Sequence, residues 1–290
     1  MFSGSYVAIV TPMRADGAVD YGAWERLLEL HVAQGTRGIV VGGTTGESPT
    51  LLDAELRELV TRARDQLRGR AQLLAGAVTS STAATVERAA WIGALGVDAL
   101  LVVTPAYNKP TQEGLFQHYR AVAAASPVPL MLYNVPGRTA VDMLPQTVAR
   151  LARLPRVVAI KEAVADIGRV RELVAACGPG FDVLSGDDAS AREAVLAGGR
   201  GVVSVTANVA PRQVSEVMAA ALAGRAAEAA ALDSRLAALH ERLFLEANPI
   251  PVKWVMSELG LIGPDLRLPL TPLSERFHER LRDAMRAAGL

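Results

Sequence analysis

Eight times before about residue 223, a short apolar run is followed by a longer stretch of helical periodicity, and this alternation confines the chain to a parallel α/β fold. The runs cover 6–10, 38–41, 72–77, 99–103, 129–133, 157–161, 182–185 and 201–204. Each is apolar at consecutive positions, as parallel strands covered on both faces require. The intervening stretches carry stripes such as Leu56, Leu59, Val60, Ala63 and Leu67, with Asp53 placed as the N-cap. An open doubly wound sheet is the rival. Its Gly-x-Gly-x-x-Gly turn is absent after the first run, where Thr11-Pro12 stands. At 290 residues the chain matches a barrel of about 250 residues plus a small addition. The sequence therefore predicts a (β/α)8 TIM barrel over 1–224. Beyond it, the stripes Leu232, Leu236, Leu239, Leu243 and Phe277, Leu281, Met285 predict a C-terminal helical appendage over 225–290.

Charge and composition remove several classes of function. Thirty basic and 30 acidic residues leave no net positive field for a phosphate backbone, and aromatic residues at 4% are too few for a stacking platform, so no nucleic-acid partner is expected. Mean hydropathy is +0.23, yet the apolar runs fall well short of the roughly 20 residues of a membrane span. The first cation, Arg14, follows the apolar start instead of preceding it, the reverse of a secretory signal, so a cytoplasmic location is expected. One cysteine, Cys177, and four scattered histidines give neither a disulfide nor a local metal motif.

In a barrel of this kind the active site lies at the C-terminal ends of the strands. Those ends offer Thr11, the Gly42–Glu47 loop, Thr79, 104–108, Tyr133-Asn134, Lys161-Glu162, 185–188 and Ser204, although turn chemistry alone explains many of these. Lysine usage narrows the choice: Lys109, Lys161 and Lys253 are the only lysines among 30 basic residues. At the end of Val157-Val158-Ala159-Ile160 an arginine would serve an ion pair as well, whereas only an amine can shed its proton and attack a carbonyl. The alternative is a buried ion pair of Lys161 with Glu162 or an aspartate of the next loop. Tyr133, one strand earlier, is a candidate acid/base or else a core tyrosine. Thr44 and Thr45, between glycines, suit a carboxylate or a proton relay; the loop lacks the lysine of a nucleotide-binding P-loop.

Taken together, Gly43-Thr44-Thr45-Gly46-Glu47, Tyr133-Asn134-Val135-Pro136-Gly137-Arg138-Thr139 and Ile160-Lys161-Glu162-Ala163 resemble the dihydrodipicolinate synthase (4-hydroxy-tetrahydrodipicolinate synthase) family. The likeness extends to Leu184-Ser185-Gly186-Asp187-Asp188, to 203–208 and to Asn248-Pro249-Ile250-Pro251-Val252-Lys253-Trp254. It implies a class I lyase in which Lys161 forms a Schiff base with pyruvate and the enamine attacks L-aspartate 4-semialdehyde, opening the diaminopimelate and lysine pathway. Tyr133 is then the acid/base. Thr44 links it to Tyr107, supplied by the neighbouring subunit of a tight dimer within a homotetramer. Thr45, Gly186 and the Val203 carbonyl hold pyruvate, and Arg138 grips the carboxylate of the semialdehyde. The imine is itself an electron sink, so the resemblance implies no metal and no organic cofactor. Aldolases for sugar acids share the lysine and tyrosine, and a barrel that only binds a small acid is the non-catalytic alternative.

Two departures from the family pattern stand out. Val164-Ala165 replaces a hydroxyl residue and glycine, which bears on the hydrogen bonding behind Lys161. In relatives inhibited by lysine, the positions of Leu56, Ser80, Ala84 and Ala106 typically hold histidine, asparagine, glutamate and tyrosine. This chain keeps Ser48 but is expected to be insensitive to L-lysine.

Overall fold

The computed structural model describes residues 2–290. Among these, eight parallel strands close a barrel in chain order: β1 (Gly4–Ala8), β2 (Gly38–Val41), β3 (Gln72–Gly76), β4 (Ala99–Val103), β5 (Leu130–Asn134), β6 (Val157–Glu162), β7 (Asp182–Ser185) and β8 (Gly201–Ser204). Closure is through β1, which pairs with β2 on one side and β8 on the other. At that seam Gly4 lies opposite Gly201, and a Cβ on Gly201 would meet the Gly4 carbonyl oxygen at 2.1 Å. The missing Cβ of Gly201 is what lets the ring close here.

The strand period of two divides side chains between two cores. Tyr6, Val40, Leu74, Leu101, Met131, Ala159, Leu184 and Val203 fill the barrel interior. Their neighbours, among them Val7, Ile39, Leu100, Leu132, Ile160 and Val202, pack outward against the helices. Both sets are buried, which explains the uninterrupted apolar runs.

The first strand lies two residues earlier than its apolar run suggests. Beyond Ala8 one more backbone bond forms, from the Ile9 N–H to the Val40 carbonyl at 3.2 Å, and then a side chain takes over: the Val10 N–H donates to Asn208 Oδ1 at 3.0 Å, while Ile9 and Val10 stay buried. The second helix, Asp53–Leu67, is capped by Leu52 and not by Asp53. Glu55 reaches back to accept the Leu52 N–H at 2.9 Å, whereas the Asp53 carboxylate is drawn off by Arg88. The tail is helical, with segments Ala226–Asp233, Ala237–Arg242, Ile250–Glu258 and His278–Ala288. The stripe expected from 232 to 243 is broken by a turn at 234–236, yet Leu236, Leu239 and Leu243 are still buried. No helix among the described residues is long and apolar enough to cross a membrane.

Candidate active site

Tyr133 and Lys161 sit directly opposite each other in the β5–β6 register, at the C-terminal end of the barrel. Their period-two positions continue the interior rows Met131–Tyr133 and Ala159–Lys161, so both side chains enter the mouth. The Lys161 Nζ lies 4.4 Å from the centroid of the Tyr133 ring. Lys161 is 5% exposed and, among the described residues, makes no ion pair. The predicted alternative of a structural pair with Glu162 therefore fails: the Glu162 carboxylate turns outward to Arg169, 2.8 Å away.

These two residues line a cavity of about 140 Å³ with Thr44, Thr45, Arg138, Gly186, Asp187, Val205, Phe244 and Asn248. Glycine at 186 is a steric requirement, since a Cβ there would stand 2.9 Å from Lys161 Cε and 2.9 Å from the Ala163 Cβ. Thr45 Oγ1 accepts a hydrogen bond from Asn248 Nδ2 at 2.9 Å, and Arg138 Nη2 donates to the Asn248 carbonyl at 3.0 Å. Asn248 therefore touches both the threonine loop and the arginine. Its Oδ1 is buried with no hydrogen-bond partner among the described residues. A larger hollow of about 570 Å³, at the opposite end of the barrel beside Arg37, Arg212 and Glu216, contains none of the predicted site residues.

Behind the lysine a polar network ties β5 to β6. Asn134 Nδ2 donates to Asp142 at 2.8 Å and to Glu162 at 3.0 Å, and Arg169 bonds both carboxylates. Burial pushes the Glu162 carboxyl above its usual range, and the Arg169 guanidinium opposes that shift. The Val164 N–H donates to Glu162 at 2.9 Å, a backbone contact that does not depend on the side chain at 164.

Two predicted residues stand apart. Tyr107 is 94% exposed, with a left-handed φ of 72°, and lies outside the cavity of its own chain. Val203 is buried in the barrel interior, and Val205, two residues on, reaches the cavity. Sequence reasoning assigned no site role to Asn248, Asp187, Val205 or Phe244. Only Asn248 and Asp187 carried a signal, as polar members of quoted motifs.

A profile of the Dihydrodipicolinate synthetase family matches residues 1–288. The chain belongs to the dihydrodipicolinate synthetase family. It is 52% identical over 290 residues to the 4-hydroxy-tetrahydrodipicolinate synthase of Thioalkalivibrio sulfidiphilus, covering 100% of this chain and 99% of that one. The corresponding protein of Alkalilimnicola ehrlichii is 54% identical over 291 residues, at 100% and 99% coverage. Among solved family structures, the chain is similar to the chloride-inhibited dihydrodipicolinate synthase of Acinetobacter baumannii complexed with pyruvate, at TM-score 0.98 and 48% identity, covering 100% and 99%. The Cyanidioschyzon merolae enzyme with lysine bound is similar at TM-score 0.96 and 39% identity, with the same coverage.

Proposed function

We propose that this chain is a 4-hydroxy-tetrahydrodipicolinate synthase that condenses pyruvate with L-aspartate 4-semialdehyde on Lys161. The observation that carries the reading is an amine with no ion partner among the described residues, buried against a tyrosine ring in a small cavity that also contains two threonines and an arginine.

The Lys161 amine attacks the keto carbon of pyruvate, water leaves, and a cationic imine forms. The imine draws electrons from the adjacent methyl, which loses a proton to give an enamine, so neither a metal nor an organic cofactor enters the step. The enamine carbon attacks the aldehyde, whose oxygen takes up a proton; the amino group of the semialdehyde then attacks the imine carbon, closing the ring as the bond to Lys161 breaks and the amine is regenerated. Tyr133 handles these protons, relayed through Thr44 to the partner subunit's Tyr107. The exposure of Tyr107 in its own chain supports a role across a subunit boundary, in a homotetramer built as a dimer of dimers. Thr45 holds the pyruvate carboxylate, while Gly186 and the Val203 carbonyl line the pyruvate pocket. Arg138, at the mouth, binds the semialdehyde carboxylate. That guanidinium and a cavity of about 140 Å³ favour a short carboxylated aldehyde over the long hydroxylated chain of a sugar acid. Such an enzyme serves lysine and diaminopimelate synthesis in the cytoplasm.

Incubation with pyruvate and borohydride, followed by peptide mapping, tests the reading. The reduced adduct is expected on Lys161 and on neither Lys109 nor Lys253. Arg138→Ala should keep the adduct while losing condensation with the semialdehyde. An adduct elsewhere, or none, would overturn the assignment.

A further inference from the structure

The threonine loop is fastened from the tail of the chain, and the fastening centres on a buried charge pair that the proposed mechanism does not use. Lys253 and Glu47 are 0% and 1% exposed, and Lys253 Nζ lies 2.5 Å from Glu47 Oε1. The same ammonium donates to the Thr11 carbonyl at 3.0 Å. Glu47 uses its second oxygen, Oε2, to accept the Arg267 N–H at 3.0 Å. Both oxygens of the carboxylate are thus held by the C-terminal tail, more than 200 positions away in sequence.

Glu47 closes the segment Gly43-Thr44-Thr45-Gly46-Glu47 and adopts a left-handed φ of 56°. A non-glycine residue keeps that conformation only where its surroundings impose it. The other fastenings here are Thr11 Oγ1 donating to the Gly46 carbonyl at 2.8 Å and Asn248 donating to Thr45 Oγ1. Thr11 therefore bonds both the loop and Lys253, so one hydrogen-bonded cluster fixes Gly46 and Glu47, next to the Thr45 that Asn248 holds. Lys253 does not line the cavity, and its ammonium donates to Glu47 and to Thr11.

We infer that Lys253, through Glu47, is a positioning residue that sets the Thr44 and Thr45 hydroxyls over Lys161 and so tunes capture of the pyruvate carboxylate. A lysine suits the place because its thin stem delivers a point charge to two acceptors inside a closed space, where a planar guanidinium would need more room and more acceptors. The inference rests on the proposed role of Thr45 in binding pyruvate.

The test uses the full chain with Glu47→Gln and Lys253→Met combined, which leaves no unpaired buried charge and nearly conserves side-chain volume. Binding is read as the pyruvate concentration that half-saturates borohydride trapping on Lys161; circular dichroism and the melting temperature report the fold. The folded double variant should still be trapped on Lys161 at saturating pyruvate, with half-saturation raised tenfold or more. Adding Thr45→Val to it should then cost less than threefold further, although Thr45→Val alone costs tenfold or more, because both changes act through one hydroxyl. Half-saturation within twofold of wild type in the folded variant, or full additivity with Thr45→Val, would overturn the inference and leave the pair a structural one. Should the double variant fail to fold, Glu47→Asp alone decides. It keeps both charges but shortens the tether by one methylene and should raise half-saturation at least threefold; an unchanged value overturns the inference. Absence of any wild-type adduct refutes the Schiff-base reading itself, and the inference falls with it.

Discussion

Replacing Gly186 with alanine separates the positioning of Lys161 from the stability of the fold. The added Cβ would stand 2.9 Å from Lys161 Cε, 3.1 Å from its Cγ and 2.9 Å from the Ala163 Cβ. Carbon atoms rest at about 3.5 Å or more, so the lysine stem must retreat by about 0.6 Å or β6 and β7 must part. Overpacking of this kind costs the fold about 1–3 kcal/mol, within the 5–15 kcal/mol typical of a whole domain, so the variant should remain folded. The rate is more sensitive. A misplacement of about 1 Å in a reacting group can cost about 100-fold, so a shift of 0.6–1 Å predicts a loss of about 10- to 100-fold, or roughly 1.4–2.7 kcal/mol in the barrier. The assay is the single-turnover rate of borohydride-trappable imine at saturating pyruvate, alongside the melting temperature. A folded Gly186→Ala protein that forms the imine within twofold of the wild-type rate would refute the claim that this glycine seats the lysine.

Three further outcomes are expected. Mixing Tyr107→Phe with Lys161→Arg chains should restore about a quarter of wild-type activity, because random pairing makes half the dimers mixed and gives each of those one intact site; no recovery would remove Tyr107 from the partner's site. Activity at saturating pyruvate should be unaffected by millimolar L-lysine. Leu56 is buried beneath the loop and Ala84 and Ala106 present methyl groups, so charged-ligand contacts worth about 1.5–3 kcal/mol each are lost against the roughly 4 kcal/mol of a millimolar site; partial inhibition that saturates below about 1 mM would contradict this. Burial lowers His31 and His118 to about 4, so the unfolded chain takes up protons from about pH 6.5 downward while the folded chain stays neutral. Stability should therefore be full above pH 6.5 and fall as the pH drops toward 4, by about 2 kcal/mol per histidine at pH 5. His240 acts in the opposite sense: although burial opposes its charge, hydrogen bonding to Asp233 leaves it raised. Equal denaturant midpoints at pH 7.5 and pH 5 would refute the net direction.

The barrel was legible because its signal is local and repeated. A strand buried on both faces must be apolar at every position, and eight such strands leave eight runs that need no knowledge of contacts. The ends were less legible, since the first apolar run continues past the point where Asn208 takes over the hydrogen bonding of β1. Tyr133 and Lys161 could be read for the same local reason, each being the polar terminus of an apolar strand. The rarity of lysine proved a less specific guide. It marks burial as much as nucleophilicity, because Lys253 is more deeply buried than Lys161 and spends its amine on Glu47 and Thr11. What separates the two lysines is the absence of an ion partner at Lys161 among the described residues, a property of the fold that no run of residues displays.

The part of the site that escaped sequence reading comes from the tail. Asn248 reaches Thr45 and Arg138, Lys253 and Arg267 hold Glu47, and Phe244 borders the cavity. None of these contacts leaves a periodic trace, since each joins residues 110 to 220 positions apart. The boundary expected near residue 224 separates elements by type, with strands before it and only helices after it. It does not separate them by role. Glu47 is buried at the end of the threonine loop, and its carboxylate partners, Lys253 and Arg267, both lie beyond that boundary. A barrel without its tail would lose every side-chain and backbone donor that the structure gives this carboxylate, and with them the contacts that keep Glu47 in its left-handed conformation, so the loop would rearrange. The helical tail is therefore a structural condition for the geometry of the strand-end loops, and the mouth of the barrel is completed only when the last quarter of the chain has folded across it.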